Sequence, residues 1–409
     1  MPGERVAIIG AGYAGMAAAV SLVERGVPVD VFEAGQVPGG RARRIEARGI
    51  WLDNGQHVLL GAYSALLGLM AKVGVSESAV LRLPLELRYA DGFLLRAPRL
   101  PAPLGLLAGL LAAHGLSWAD RLNAIRFMRS LRGLRYRLIE DCTVSELLAR
   151  HGQSGALARY LWHPLCVSAL NTLPAQASAN IFLAVLRDGL AGSRADSDLL
   201  LPRLDLSRLF PEPAAAFISS RGGKLYCEHR ISDLGALRAD YRRILVAVGP
   251  HQLKALLPEL DARYEYQPIY TCYLQYPAPL RLRAPMLGLD GDPVQWVFDR
   301  GMLMGEHGRL ACVISAQGPH QQLAHEELAM RCHAQLAAAL PHLAPPEWSR
   351  VVAEKRATLR ADVNLTRLSP RTGLPGVLLA GDYLDPEYPP TLEAAVRSGI
   401  KAAALALGA

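Results

Sequence analysis

Gly10, Gly12 and Gly15 stand at the spacing G-x-G-x-x-G, directly after the apolar run Val6–Ile9. Each glycine has its own physical task in such a turn. Gly10 permits the tight bend, Gly12 lets a pyrophosphate approach the main chain, and Gly15 lets the following helix lie close to the strand. Phosphates then sit at a helix N-terminus, where unsatisfied N–H groups and the helix dipole favour negative charge. The next apolar run, Val29–Phe32, ends in Glu33, placed to accept hydrogen bonds from an adenosine ribose. Ala34 follows instead of a cation, so a 2′-phosphate would meet an uncompensated carboxylate. These residues point to the holding of an adenine dinucleotide other than NADP.

Such groups need a strand, a glycine turn, a helix and a second strand to position them, and the runs at 6–9 and 29–32 have the continuous apolar character of parallel strands buried on both faces. At 409 residues the chain exceeds one small core, and two or three domains are expected. The formal net charge of +7 is compatible with nucleic acid or with an anionic membrane face. The cations are nearly all arginine in a chain rich in Ala, Leu, Gly and Pro, so charge alone carries little weight. The 6 cysteines are scattered without a C-x-x-C pair and the histidines show no ligand spacing, so no metal and no disulfide framework is expected, and a reducing compartment is. No charged segment with a cleavable apolar stretch precedes Val6, which fits a cytoplasmic location.

Gly39-Gly40-Arg41 follows the second strand. It could be an ordinary surface turn, but it resembles the extension that runs along the dinucleotide in the superfamily of FAD-dependent amine oxidases and phytoene desaturases. A distant second signature strengthens the resemblance: Gly376–Asp382 is an apolar strand ending in Gly-Asp, and Pro390-Thr391-Leu392 begins a closing helix. The resemblance implies FAD, with Gly381 and Asp382 at its ribityl or phosphate oxygens, the helix start at its pyrimidine, and Gly55 nearest its ring, flanked by Gln56 and His57. Ser219–Leu225 and Ile244–Pro250 resemble the middle nucleotide-binding portion, with Ile231 at the adenine end. Only Leu225–Tyr241 lies between them, too little for the usual antiparallel excursion. The expected cofactor contacts are Gly10, Gly12, Ala14, Gly15, Glu33, Gly40, Arg41, Gly55, Gln56, His57, Ile231, Gly381, Asp382, Thr391 and Leu392.

The fold implied is α/β, with a Rossmann-type FAD-binding domain built from the separated segments 1–80, 203–260 and 355–409. A second α+β substrate-binding domain takes 81–202 and 261–354. In it, 83–95 reads as a hairpin turning at Asp91-Gly92; 143–149, 155–165 and 180–190 read as helices; 269–276, 294–298 and 310–315 read as strands, with Asp299–Gly301 a turn between the last two. His325–Leu340 reads as an amphipathic helix. Tyr270, Trp296 and Phe298 are available to line the substrate, as are Trp162 and Asn171.

Pro98–Leu116 is apolar but broken by prolines and glycines and too short to span a bilayer. A helix expected from an N-cap at Ser117 carries Arg121, Arg126, Arg129, Arg132, Arg135 and Arg137. A buried hairpin followed by a solvated basic helix would give this pattern. So would a segment, 98–137, that dips into acyl chains and meets anionic headgroups, and this second reading is preferred. It places the protein peripherally on the inner membrane face, without a nucleic-acid partner.

Taken end to end, the chain resembles the squalene-associated branch of FAD-dependent desaturases, the hydroxysqualene dehydroxylases of hopanoid and triterpenoid synthesis. The resemblance rests on Leu52–Tyr63 (LDNGQHVLLGAY), on Trp162–Leu165 with Ala169–Thr172, and on Ala380–Tyr383 with Pro390–Leu392. It implies conversion of hydroxysqualene, a C30 isoprenoid alcohol, to squalene by reductive dehydroxylation, with hydride from reduced flavin reaching an allylic cation. The leaving oxygen needs an acid, for which His57, Tyr63, His163 and Tyr383 are candidates; either histidine could equally be structural. The electron donor is open between a partner protein and transient nicotinamide, since no second glycine fingerprint lies between a strand and a helix. A carotenoid desaturase, a flavin amine oxidase and a non-enzymatic prenyl-lipid-binding flavoprotein are the alternatives.

Overall fold

A computed structural model of the chain describes residues 5–47, 49–101, 103–261 and 263–408. Residues 1–4 and 409, at the ends of the expected 1–80 and 355–409 segments, lie outside the described residues, as do Arg48, Ala102 (within 98–137) and Ala262.

Val6–Ile9 is the middle strand of a five-stranded parallel sheet in the order Lys224–Tyr226, Val29–Phe32, Val6–Ile9, Arg243–Val246, Val377–Leu379. Strands from the beginning, middle and end of the chain thus share one ladder. The helix Tyr13–Glu24 is buried along nearly its whole length. It packs on the closing helix Leu392–Ala406 and on Pro211–Ser219. The approach to the closing helix is close enough that a Cβ on Gly399 would come within 2.1 Å of the Ala14 carbonyl oxygen, which explains the small residues on both helices.

The second sheet is antiparallel, in the order Met286–Gly288, Trp296–Asp299, Arg309–Ser315, Tyr266–Gln275, Trp348–Leu359. One face meets a helical layer drawn from 104–186 in a core that includes Trp296, Phe298 and Tyr273; the other packs on helix His325–Ala339. Two of these strands escape the sequence reading. Met286–Gly288 is only 3 residues long. Trp348–Leu359 is an edge strand whose charged, half-exposed side chains blur the period-two pattern. It pairs with Tyr266–Gln275 along its length, so the boundary expected at 355 falls inside one continuous strand. Asp299–Gly301 is likewise not a simple turn. Asp299 Oδ1 accepts from Met302 N at 2.9 Å and caps a short helix, Arg300–Met304, which ends at Gly305 in the left-handed region.

In the 98–137 region, Leu104–Ala112 and Trp118–Gly133 are helices. Ser117 and Asp120 form a reciprocal cap at the start of the second, and Ala124, Phe127, Met128 and Leu131 give it a buried stripe. Arg135 and Arg137 lie beyond its end. No described helix is long and apolar enough to cross a membrane.

Candidate active site

A cavity of about 1200 Å³ runs from the glycine turn of the parallel sheet to the inner face of the antiparallel sheet. It exceeds the roughly 300–1,000 Å³ usual for one drug-sized ligand, so it has room for a cofactor and a substrate together. Backbone geometry builds its first end. Gly10 adopts φ +100, and a Cβ on Gly15 would lie 1.9 Å from the Gly10 carbonyl oxygen. Gly39 N donates to Ala11 O at 2.8 Å, joining the two glycine segments, and Gly40 sits at φ +60 with room for a Cβ only 3.1 Å from Gly12 Cα. A side chain at Gly40 would fill this cradle.

Glu33 lines the same end. Its carboxylate already accepts from Ala11 N at 2.8 Å and from Gly35 N at 2.7 Å, so it holds the turn while retaining lone pairs for hydroxyl donors. Arg41 Nη1 donates to Ala357 O and Nη2 to Asp382 Oδ1, each at 2.7 Å. Gly381 N donates to Ser398 Oγ at 2.9 Å, and the Thr391 hydroxyl caps Leu392–Ala406 through Ala394 N, so the helix start faces the cavity with Pro390, Thr391 and Leu392 in its wall. Ala14, Gly55, Gln56, His57 and Ile231 also line it, whereas Gly15 lies beneath the turn. The Tyr383 hydroxyl is buried in the wall without a partner among the described residues, a polar atom left for a ligand. These features fit a dinucleotide.

Residues 13–407 match the family described as flavin containing amine oxidoreductase. The chain belongs to this family. Its cofactor is FAD, which accounts for the glycine cradle at one end of the cavity. Among curated proteins the chain is similar to the hydroxysqualene dehydroxylase of Rhodopseudomonas palustris, 31% identical with 99% of each chain covered. It is 29% identical to that of Sinorhizobium fredii, with 99% of this chain and 98% of the other covered. Among solved structures it resembles cyclohexylamine oxidase from Brevibacterium oxydans, with TM-score 0.69, 19% identity and 99% of each chain covered, a likeness of fold.

The far end of the cavity is apolar, walled by Leu85, Leu87, Val185, Met286, Trp296 and Phe298. Trp296 Nε1 donates to Ser168 Oγ at 3.0 Å, which anchors its edge. Asn171 also lines the cavity, but its carboxamide is engaged elsewhere. Nδ2 donates to Pro268 O at 3.2 Å and Thr358 Oγ1 at 3.0 Å, and Oδ1 accepts from Ala316 N at 2.6 Å. The residue caps helix His163–Leu170 in the left-handed region and ties it to the sheet.

Trp162 and Tyr270 do not line the cavity. Trp162 is buried in the helical layer, donating to Gln153 Oε1 at 2.8 Å and meeting Phe127 edge-on. Tyr270 lies on the opposite face of its strand from Ile269 and Tyr273, against His320, because successive strand side chains alternate.

The four candidate acids separate by environment. His163 is exposed and outside the cavity wall. Tyr383 sits among Asp382, Tyr264, Arg41 and Tyr266 on the dinucleotide side, and burial pushes its hydroxyl well above the usual range. Tyr63 lines the wall beside Thr391; burial first, then Glu393, raises its hydroxyl well above the usual range. His57 lies 2.9 Å through Nδ1 from Gly55 O. A carbonyl only accepts, so Nδ1 carries the proton and Nε2 keeps the lone pair. Burial, with Arg41 reinforcing it, lowers the imidazole pKa against the opposing Gly55 hydrogen bond, so the ring rests neutral.

Two side chains of the site are not legible in the sequence. Asp188 lines the cavity from a wide helical turn, Arg187–Ala191, which continues the helix Ala179–Leu186. Arg300 follows the Trp296–Asp299 strand, and its DRG setting reads as a turn. Asp53 holds a loop: it accepts from Leu206 N at 2.8 Å, and burial raises its pKa to about 6 against the pull of Arg300.

Proposed function

We propose that the protein converts hydroxysqualene to squalene by reductive dehydroxylation. The observation that carries this reading is one continuous cavity with a dinucleotide cradle at one end and an apolar wall at the other, in a chain similar over its full length to hydroxysqualene dehydroxylases. Reduced FAD, when bound, supplies the hydride that replaces the hydroxyl.

The chain's own residues supply the rest. The wall of Leu85, Leu87, Met286 and Phe298 takes an isoprenoid tail and excludes water. The tethered indole of Trp296 offers an aromatic surface that tolerates positive charge when the C–O bond breaks. His57 Nε2 takes up from solvent, before the substrate closes off the cavity, the proton that the leaving oxygen requires. As imidazolium it passes that proton to the hydroxyl, which departs as water with the C–O electron pair, and the ring returns to its resting neutral form. Tyr63, beside Thr391 in the wall, and Tyr383, on the dinucleotide side, orient ligands in this scheme.

A membrane surface fits the same reading, because a C30 isoprenoid resides in lipid. Large apolar side chains stand exposed along 100–139, among them Leu104 at 55% and Trp118 at 67%, with Leu111 and Leu122. Arg126, Arg129, Arg132, Arg135 and Arg137 are exposed beside them. Apolar side chains with flanking cations match an anionic bilayer surface.

The test is anaerobic incubation of the FAD-loaded protein with hydroxysqualene and dithionite, followed by mass detection. Squalene is the expected product. No squalene under these conditions, together with consumption of phytoene when an oxidant is supplied, would replace this reading with a carotenoid desaturase.

A further inference from the structure

Arg300 is buried to 1% exposure, and the chemistry above leaves it without a role. It opens the short helix that follows the strand Trp296–Asp299 of the second sheet, yet its guanidinium reaches Asp53 and Gln56, and Gln56 lines the cavity. Nε and Nη2 donate to the two carboxylate oxygens of Glu306 at 2.6 and 3.1 Å. Nη1 donates to Asp53 Oδ2 and to Gln56 Oε1, each at 3.2 Å. The Tyr273 ring lies under the cation, and its hydroxyl donates to Asp53 O at 2.9 Å.

A guanidinium has donors and no acceptor. Gln56 therefore has to turn its carbonyl oxygen toward Arg300 and its amino group away from it. One Nε2–H is donated to His57 O at 3.4 Å. The other finds no acceptor among the described residues, on a side chain that lines the cavity. Gln56 N is itself held by Thr271 Oγ1 at 3.4 Å, so the residue is fixed at both its main chain and its side chain.

We propose that Arg300 is a positioning residue: by fixing the orientation of the Gln56 carboxamide, it presents an N–H donor to an oxygen acceptor in the cavity. That acceptor is either a carbonyl of the bound flavin or the hydroxyl of the isoprenoid alcohol. The proposal rests on the reading of the cavity as a site for both, and its test separates the two sources.

Three variants of the full, FAD-loaded chain make the test. Gln56→Leu removes the donor without adding charge and leaves Arg300 its two carboxylates. Arg300→Gln supplies a side chain that can accept as well as donate, so the carboxamide is free to turn. Arg300→Lys keeps a cation that only donates. If the acceptor is the flavin, Gln56→Leu shifts the flavin absorption bands and reduction potential before substrate is added. If it is the substrate hydroxyl, the flavin is unchanged and KM for hydroxysqualene rises about tenfold with kcat less affected.

In either case Arg300→Gln reproduces the Gln56→Leu change, the double variant adds nothing to it, and Arg300→Lys stays close to the parent. Should Arg300→Gln fail to hold FAD, the comparison of Arg300→Lys with Gln56→Leu decides: a lysine variant that matches Gln56→Leu overturns the orienting role. A Gln56→Leu protein with normal FAD content and unaltered spectrum, potential and KM also overturns it. If the parent protein makes no squalene while Gln56→Leu still shifts the flavin spectrum, the substrate reading fails and the positioning role stands.

Discussion

Arg41 and Asp382, 341 residues apart in the chain, meet in an ion pair whose Nη2 to Oδ1 distance is 2.7 Å. The pair joins the second glycine segment to the Gly-Asp turn at the end of the last parallel strand, and both residues line the cavity. Arg41 also holds Ala357 O, so one guanidinium connects three separated stretches of chain around the cofactor end.

Breaking this connection should weaken cofactor binding. Arg41→Met removes a charge-assisted pair, and the expected loss is about tenfold or more in FAD affinity. Titration of the apoprotein with FAD, followed by flavin fluorescence, measures it. Asp382→Asn retains a hydrogen-bond acceptor and should lose less. Equal FAD affinity in the parent and Arg41→Met would show that the pair does not shape the site.

His57 gives a pH dependence of known sign. Its folded-state pKa is lowered from the ordinary 6.5, first by burial and then by Arg41. As pH falls below the ordinary value, the unfolded chain takes up a proton that the folded one refuses, so this group's contribution to stability is full above that pH and is lost below it. Thermal melting between pH 7 and pH 5 should show a smaller decline in His57→Asn than in the parent. The same substitution should lower kcat by about a hundredfold if His57 supplies the proton. A parallel decline in melting with unchanged kcat would remove both roles.

Membrane docking should depend on side chains that are exposed. Leu110 is buried, so charge there would report on folding. Leu104→Glu, Leu111→Glu and Trp118→Glu combined should greatly reduce sedimentation with vesicles of anionic phospholipid and leave the melting temperature within a few degrees. Undiminished sedimentation would sink the docking reading.

Trp162 and Phe298 are both buried aromatics with opposite expected phenotypes. Trp162→Phe leaves Gln153 without its donor in the helical core and should cost about 1–3 kcal/mol of stability with KM unchanged. Phe298→Trp enlarges a cavity-wall side chain and should raise KM for the isoprenoid with a smaller effect on melting. Chemical denaturation and steady-state kinetics on the two proteins check this.

Elements with a strong local period are legible in the sequence. The Ser117 cap and the helix after it, the Asp91-Gly92 hairpin and the central strands all follow from spacing within a few residues. The strand Trp348–Leu359 is not, because an edge strand half in water carries charges where a core strand would alternate. The wide turn that brings Asp188 to the cavity leaves no mark either, since its sequence continues an ordinary helix.

The cofactor end is written in local sequence. Glycines that permit left-handed turns and close backbone approach leave a pattern that is local and few other structures require, as at Gly10, Gly15 and Gly40. Which side chains meet in the cavity depends on long-range packing. Strand parity sent Tyr270 away from it and Trp296 into it, helix packing enclosed Trp162, and a sheet in the other half of the molecule delivered Arg300 to Gln56. Those outcomes depend on which face of each element is buried against which neighbour, and contacts between residues hundreds of positions apart leave no local signature.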